Sequence, residues 1–253
     1  MRKLIVAGNW KMNTTVAQGI NLIKELKELH NCTFSKNSDI IIFPPYTHLS
    51  QFATELTNCC IKLGAQNLHH EEKGAFTGEI SANMIRSIGC KYVLLGHSER
   101  RQYAKESNEV LASKVKLALD NELTPIYCCG ETLDERDQEK HFDVIEEQIK
   151  KGLFSLPIDS IQEIIIAYEP VWAIGTGKTA SPAQAQEIHA FIRSLIETTY
   201  GKEVSESIRI LYGGSVNAAN AKEIFGQADI DGGLVGGASL KPQDFNTIIN
   251  AVG

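Results

Sequence analysis

The chain has 253 residues, with 25 Lys and Arg against 31 Asp and Glu, for a formal net charge of −6. Its 43% hydrophobic and 22% charged content is that of an ordinary globular protein, and its length, about 1.7 times a typical domain of roughly 150 residues, is enough to bury a core without staples. The acidic balance offers no global positive field for nucleic acid, and no apolar run reaches the roughly 18–20 residues of a membrane span.

The opening Met1-Arg2-Lys3 is basic, but the apolar stretch behind it ends at Asn9. That is short for a secretory signal, so a cytoplasmic location is expected. Cysteines stand at 32, 59, 60, 90, 128 and 129, with no Cys-x-x-Cys spacing. Zinc-site spacing is therefore absent, and reduced thiols are the expectation.

Short apolar runs recur along the whole chain. They are Leu4–Ala7, Ile40–Phe43, Ile61–Leu63, Tyr92–Leu95, Pro125–Cys129, Ile164–Ala167, Ile208–Tyr212 and Leu234–Val235. Most are β-branched, and they do not alternate apolar with polar. Such runs predict parallel strands buried on both faces. Between them lie helical patterns. Residues 15–30 place Val16, Ile20, Ile23, Leu26 and Leu29 at helical spacing, and residues 105–121 do so with Val110, Leu111, Val115, Ala118 and Leu119. In residues 182–199, Pro182 suits the first turn behind a Ser181 cap. Residues 45–57, 80–88, 131–154, 217–226 and 242–252 read as further helices.

The strand starts recur about every 32 residues, the size of a βα unit. Eight such units with no linker between them predict one domain over residues 1–253, an α/β fold of the (β/α)8 barrel type. The rival is an open doubly wound sheet, which should carry a Gly-rich fingerprint after its first strand. Gly8-Asn9-Trp10-Lys11 is no such fingerprint.

In a parallel barrel, chemistry collects at the C-terminal ends of the strands. Polar residues just past each apolar run are therefore the candidates. The first run leads to Asn9 and Lys11, the fourth to His97 in Gly96-His97-Ser98-Glu99-Arg100-Arg101, and the sixth to Glu169. The seventh and eighth lead to Gly213-Gly214-Ser215 and Gly236-Gly237. Glycine turns after the last two strands let backbone N–H groups approach a phosphate, aided by helix ends. Glu169 ends so apolar a run that desolvation suits it to act as a base. Behind it, Pro170-Val171-Trp172-Ala173-Ile174-Gly175-Thr176-Gly177-Lys178 is apolar between a proline and a glycine pair, the make-up of a water-excluding lid.

Other patterns compete and fall away. Gly175-x-Gly177-x-x-Ala180 fits a dinucleotide pattern but does not directly follow a strand, and a phosphate-binding loop ending at Lys178-Thr179 would need glycine where Trp172 stands. His69-His70 beside Glu71-Glu72 reads as a solvated loop, because consecutive residues rarely converge on one ion. Cys128, at the end of the fifth run, reads as a small packing residue. A Schiff-base lyase would need a lysine within a strand, and Lys11 lies past one. A phosphate-binding barrel without turnover would not need Lys11, His97 and Glu169 together.

On these residues the chain resembles the triosephosphate isomerase family from end to end. The resemblance rests on Asn9-Trp10-Lys11-Met12-Asn13, Gly96 to Arg101, Ala167 to Gly177, Tyr212 to Val216, Gly236 to Leu240, and Gly74 to Glu79. It implies isomerisation of a triose phosphate with no cofactor and no metal. Glu169 would be the base, His97 the electrophile and proton shuttle, Lys11 the counter-charge and Asn9 an orienting group. Gly175, Ser215, Gly236 and Gly237 would bind the phosphate, with Glu99, Arg100 and Cys128 in support. It further implies a homodimer, formed through Thr77 and Glu79, with Arg100 reaching the partner's loop. Three departures stand out: Ser181-Pro182-Ala183 at the far lid hinge, Cys129 where an aliphatic residue is common, and the variable Asn67–Lys73 stretch.

Overall fold

The computed structural model describes residues 2–30, 38–174 and 179–251. Eight parallel strands close a barrel in chain order: β1 (Leu4–Asn9), β2 (Ser38–Phe43), β3 (Ile61–Ala65), β4 (Tyr92–Leu95), β5 (Thr124–Cys129), β6 (Ile165–Tyr168), β7 (Arg209–Tyr212) and β8 (Gly232–Val235). The last strand pairs back on the first, Ile5 opposite Gly232 and Gly8 opposite Val235. No edge remains, and the open-sheet alternative is excluded.

The barrel explains why the apolar runs do not alternate. Ile5, Ala7, Ile41, Phe43, Leu94, Ile126, Ile165, Ala167, Leu211 and Leu234 pack as one inner cluster. Their sequence neighbours Val6, Ile40, Ile42, Val93, Tyr127 and Ile166 pack in a second cluster with the helices. Successive side chains point to opposite faces of a strand, and here both faces are dry.

Among the described residues twelve α-helices follow the strands. They are α1 (Val16–Leu29), α2 (Tyr46–Glu55), α3 (Ala82–Ser87), α4 (Ser98–Tyr103), α5 (Asn108–Asp120), α6 (Leu133–Asp137), α7 (His141–Leu153), α8 (Ile158–Ile161), α9 (Pro182–Tyr200), α10 (Lys202–Ser207), α11 (Ala221–Phe225) and α12 (Pro242–Asn250). Ser181 caps α9 with Pro182 in its first turn, as expected, and Gln184 completes a capping box. None of these helices is long and apolar enough to cross a membrane.

Several expectations need correction. The helix expected over residues 131–154 is two helices, α6 and α7, because Glu139 takes a left-handed φ of 58° between them. The short helices α4, α8 and α10 carry too few turns to show a periodicity. On α1 the buried face runs through Gly19, Leu22, Ile23 and Leu26, while Leu29 is exposed. The face turns because α1 also packs over Trp10, and a Cβ at Gly19 would lie 3.0 Å from the indole. On α5 a charged residue, Lys114, is buried with Leu111, Val115 and Ala118. Its ammonium bonds to Glu106 Oε1 at 2.6 Å and Asn67 Oδ1 at 2.9 Å, which is what permits the burial. Cys59, Cys90, Cys128 and Cys129 are free thiols, but Cys60 is disulfide-bonded, so the expectation of reduced cysteines fails there.

Candidate active site

At the C-terminal rim of the barrel lies a cavity of about 410 Å³. Asn9, Lys11, His97, Glu169, Ser215, Gly236 and Gly237 all line it. Residues up to 228 positions apart in the chain meet there because every strand points the same way. Gly175 lies outside the described residues, as do Thr176, Gly177 and Lys178 of the expected lid.

Glu169 leaves β6 and is 2% exposed. Its Oε1 stands 3.0 Å from His97 Nε2, and its Oε2 accepts the Ser98 N–H at 2.9 Å. Its own N–H donates to Cys129 O at 2.7 Å, which hangs the residue on β5. Gly213 leaves the side chain its room, since a Cβ there would lie 2.8 Å from Glu169 Cγ.

His97 is buried and caps α4. Its Nδ1 accepts the Glu99 N–H at 3.3 Å. That bond assigns the ring proton to Nε2, which faces Glu169 and the cavity. Lys11 follows β1 in the left-handed region, φ 53°. A non-glycine residue held there marks a site where position outweighs backbone comfort. Its N–H donates to Asn9 Oδ1 at 3.0 Å, and its ammonium bonds Glu99 Oε1 at 2.7 Å. Gln66, just past β3, clamps the same turn by donating to Lys11 O and Phe43 O, both at 2.8 Å.

The two glycine turns line the same cavity. Among the described residues, Gly236 has only Lys11 Cε near its missing Cβ, at 3.7 Å, and Gly237 has nothing within 4 Å. Their backbone is open to a ligand. The second turn leads into a single 3-10 turn, Gly237–Leu240, and the helix expected over residues 242–252 follows as α12. Ile174 and Leu234 add an apolar patch to the same cavity.

The supporting residues fall in three groups. Glu99 holds Lys11, as above. Arg100 bonds Glu106 Oε1 at 2.6 Å through Nε, within its own chain. Cys128 is fully buried in the barrel interior. Burial, reinforced by the nearby Glu169 charge, pushes its thiol well above the ordinary range. That keeps it protonated and unreactive. Thr77 and Glu79 do not join the cavity; they sit on the exposed loop after β3, where Glu79 N donates to Phe76 O at 3.0 Å. His69 and His70 stack at 4.3 Å in that region, and among the described residues no cluster of His, Cys, Asp or Glu is arranged to hold a metal.

Sequence reasoning passed over Glu131. It is fully buried after β5, and one oxygen accepts from Arg136 Nη1 at 3.0 Å, Tyr168 Oη at 3.0 Å and Trp172 Nε1 at 2.8 Å. Its carbonyl also accepts the Val171 N–H at 3.0 Å. The start of the apolar loop behind Glu169 is thus tied to β5. The signal was present, because Glu131 is a polar residue just past an apolar run.

Residues 4–252 match the family model described as triosephosphate isomerase. A triosephosphate isomerase of Bacteroides fragilis is 55% identical over 251 residues, covering 99% of each chain. One from Porphyromonas gingivalis is 54% identical over 252 residues, 99% of this chain and 100% of the other. One from Alkaliphilus oremlandii is 51% identical over 251 residues, with the same coverage of 99% and 100%.

Proposed function

Because the chain belongs to the triosephosphate isomerase family, we propose that Glu169, His97, Lys11 and Asn9 perform its interconversion of dihydroxyacetone phosphate and D-glyceraldehyde 3-phosphate. This is a step of glycolysis and gluconeogenesis. The observation that carries the residue assignment is the meeting of Glu169 Oε1 and His97 Nε2 at 3.0 Å in a cavity that Lys11 and the two glycine turns also line.

Glu169 takes the proton from the carbon next to the substrate carbonyl, and negative charge moves to the carbonyl oxygen. The result is an enediolate. His97 donates from Nε2 to that oxygen and passes protons between the two oxygens. The Lys11 ammonium offsets the charge of the intermediate and the phosphate. Glu169 then returns its proton to the neighbouring carbon. Asn9 orients the substrate, and backbone N–H groups of Gly175, Ser215, Gly236 and Gly237 take the phosphate. Glu99 holds the Lys11 ammonium between turnovers, and Cys128 packs beneath the base.

Replacing Glu169 with Ala should lower kcat by about 10²–10⁴-fold, the range for an acid–base group, with the fold intact. Near-normal turnover would refute the assignment. In D2O the reacting carbon should take up deuterium, because Glu169 exchanges its proton; complete retention of substrate hydrogen would point to hydride transfer.

The functional unit in this reading is a homodimer. Support comes from Met12, 95% exposed, and Phe76, 42% exposed on the protruding loop. A second cavity, about 200 Å³, lies between Met12, Tyr46, Gln66, Asn67, Glu99 and Arg100. The loop carrying Thr77 and Glu79 from one copy would fill this cavity of the other. The reading also places the protein in the cytoplasm with its substrates, which cell fractionation tests.

A further inference from the structure

His97 and Glu169 leave different strands, β4 and β6, and β5 lies between them. Arg101 bridges that gap. It sits on α4 and lines neither cavity. Its Nε donates to Gly96 O at 2.9 Å, and its Nη2 donates to Cys128 O at 2.8 Å and Tyr127 Oη at 3.1 Å. Its Nη1 donates to Asn108 Oδ1 at 2.7 Å, and the guanidinium lies 5.5 Å from the Tyr127 ring centroid.

One carbonyl it holds immediately precedes His97, and the other belongs to the residue before the one that supports Glu169. Gly96 is the residue before His97. Its φ of 76° belongs to the left-handed region, and a Cβ there would crowd Leu111 Cδ1 at 2.8 Å and Arg101 Nη2 at 3.2 Å. Cys128 and Cys129 pair with Ala167 and Tyr168, and Cys129 O accepts the N–H of Glu169 at 2.7 Å. Tyr127 Oη continues the brace by donating to Gln148 O at 2.7 Å. Gln148 in turn bonds both the N–H and the carbonyl of Gly130, at 2.9 and 3.0 Å.

We propose that Arg101 is a positioning residue for the isomerase reaction, fixing the turn of His97 against the strand that supports Glu169. The proposal rests on the acid–base reading above. A planar fork is needed because the acceptors lie in different directions, and an ammonium on a flexible stem cannot reproduce it. Loss of the brace should affect the chemical step and leave phosphate binding on the β7 and β8 turns alone. A misplacement of about 1 Å at reacting groups can cost about 10²-fold in rate.

Arg101→Lys and Arg101→Ala should both lower kcat by about 10- to 100-fold, with KM within about 2-fold of the wild-type value. Both are compared in a coupled isomerase assay, with the folded fraction measured by circular dichroism. Millimolar guanidinium should restore part of the kcat of Arg101→Ala, and sodium chloride at equal ionic strength should not. A kcat within 2-fold of wild type in folded variants would overturn the proposal, as would a loss confined to KM or one that tracks the folded fraction. If neither variant folds, Asn108→Ala frees one arm of the fork: a lowered kcat with KM held supports the brace, and an unchanged kcat overturns it. An inactive wild-type chain would be a separate result, removing the isomerase reading and this inference with it.

Discussion

Removing the Glu131 carboxylate should cost more stability than any single surface change. In Glu131→Ala the Tyr168 hydroxyl, buried at 1% exposure, loses its acceptor at 3.0 Å. An orphaned buried donor costs about 1–3 kcal/mol. The Arg136 side chain, 15% exposed, loses its ion pair. Breaking a buried pair costs about 3–5 kcal/mol when no water reaches it, and partial access to solvent lowers the share of Arg136. The net expectation is about 3–5 kcal/mol, or a melting temperature lower by about 10 °C in a chain of this size. Glu131→Gln retains an acceptor on the shared oxygen but puts an amide where Oε2 now stands buried without a partner among the described residues. Its expected cost is about 1–3 kcal/mol. Urea unfolding followed by circular dichroism measures both. A loss under about 1 kcal/mol in Glu131→Ala, or equal losses in the two variants, would refute the view that the shared oxygen organises these donors.

His189 is fully buried with Nδ1 3.2 Å from Asp229 O, and burial pushes its pKa down to about 3. The unfolded chain therefore takes up a proton below about pH 6.5 that the native fold refuses, so this stability is complete above that pH. It is lost as pH falls toward 3, by up to about 1.4 kcal/mol per pH unit. Urea titrations between pH 4 and 7 should show a shallower slope in His189→Leu, and parallel slopes would count against the assignment. Gly213→Ala should lower kcat by about 10²-fold, because its Cβ would sit 2.8 Å from Glu169 Cγ and displace the proposed base; unchanged turnover would show that the side chain has slack. If the chain forms the proposed homodimer, Thr77→Arg should shift its sedimentation coefficient toward that of a monomer, and an unmoved dimer would place the interface elsewhere.

The barrel was legible because its causes are local and repeated. Eight doubly buried strands must read as unbroken apolar runs, and each βα unit has nearly the same length. The shared rim position of Lys11, His97 and Glu169 was legible for a related reason. A polar residue at the end of an apolar run cannot continue the core, and parallel strands bring all such ends to one rim. The boundaries of α6 and α7 were not legible, because the break depends on the left-handed φ of Glu139 in an otherwise helix-compatible stretch.

What the amino-acid order determined by itself was the strand count, the rim and the chemistry available there. Only the tertiary structure decided which partners support that chemistry. Glu131 meets Tyr168 and Trp172 from 37 and 41 positions away, and Arg101 reaches Cys128 from 27. These pairings follow no period in the chain. They exist because closing the barrel sets β4, β5 and β6 side by side, and each buried donor takes the acceptor that this closure places within reach.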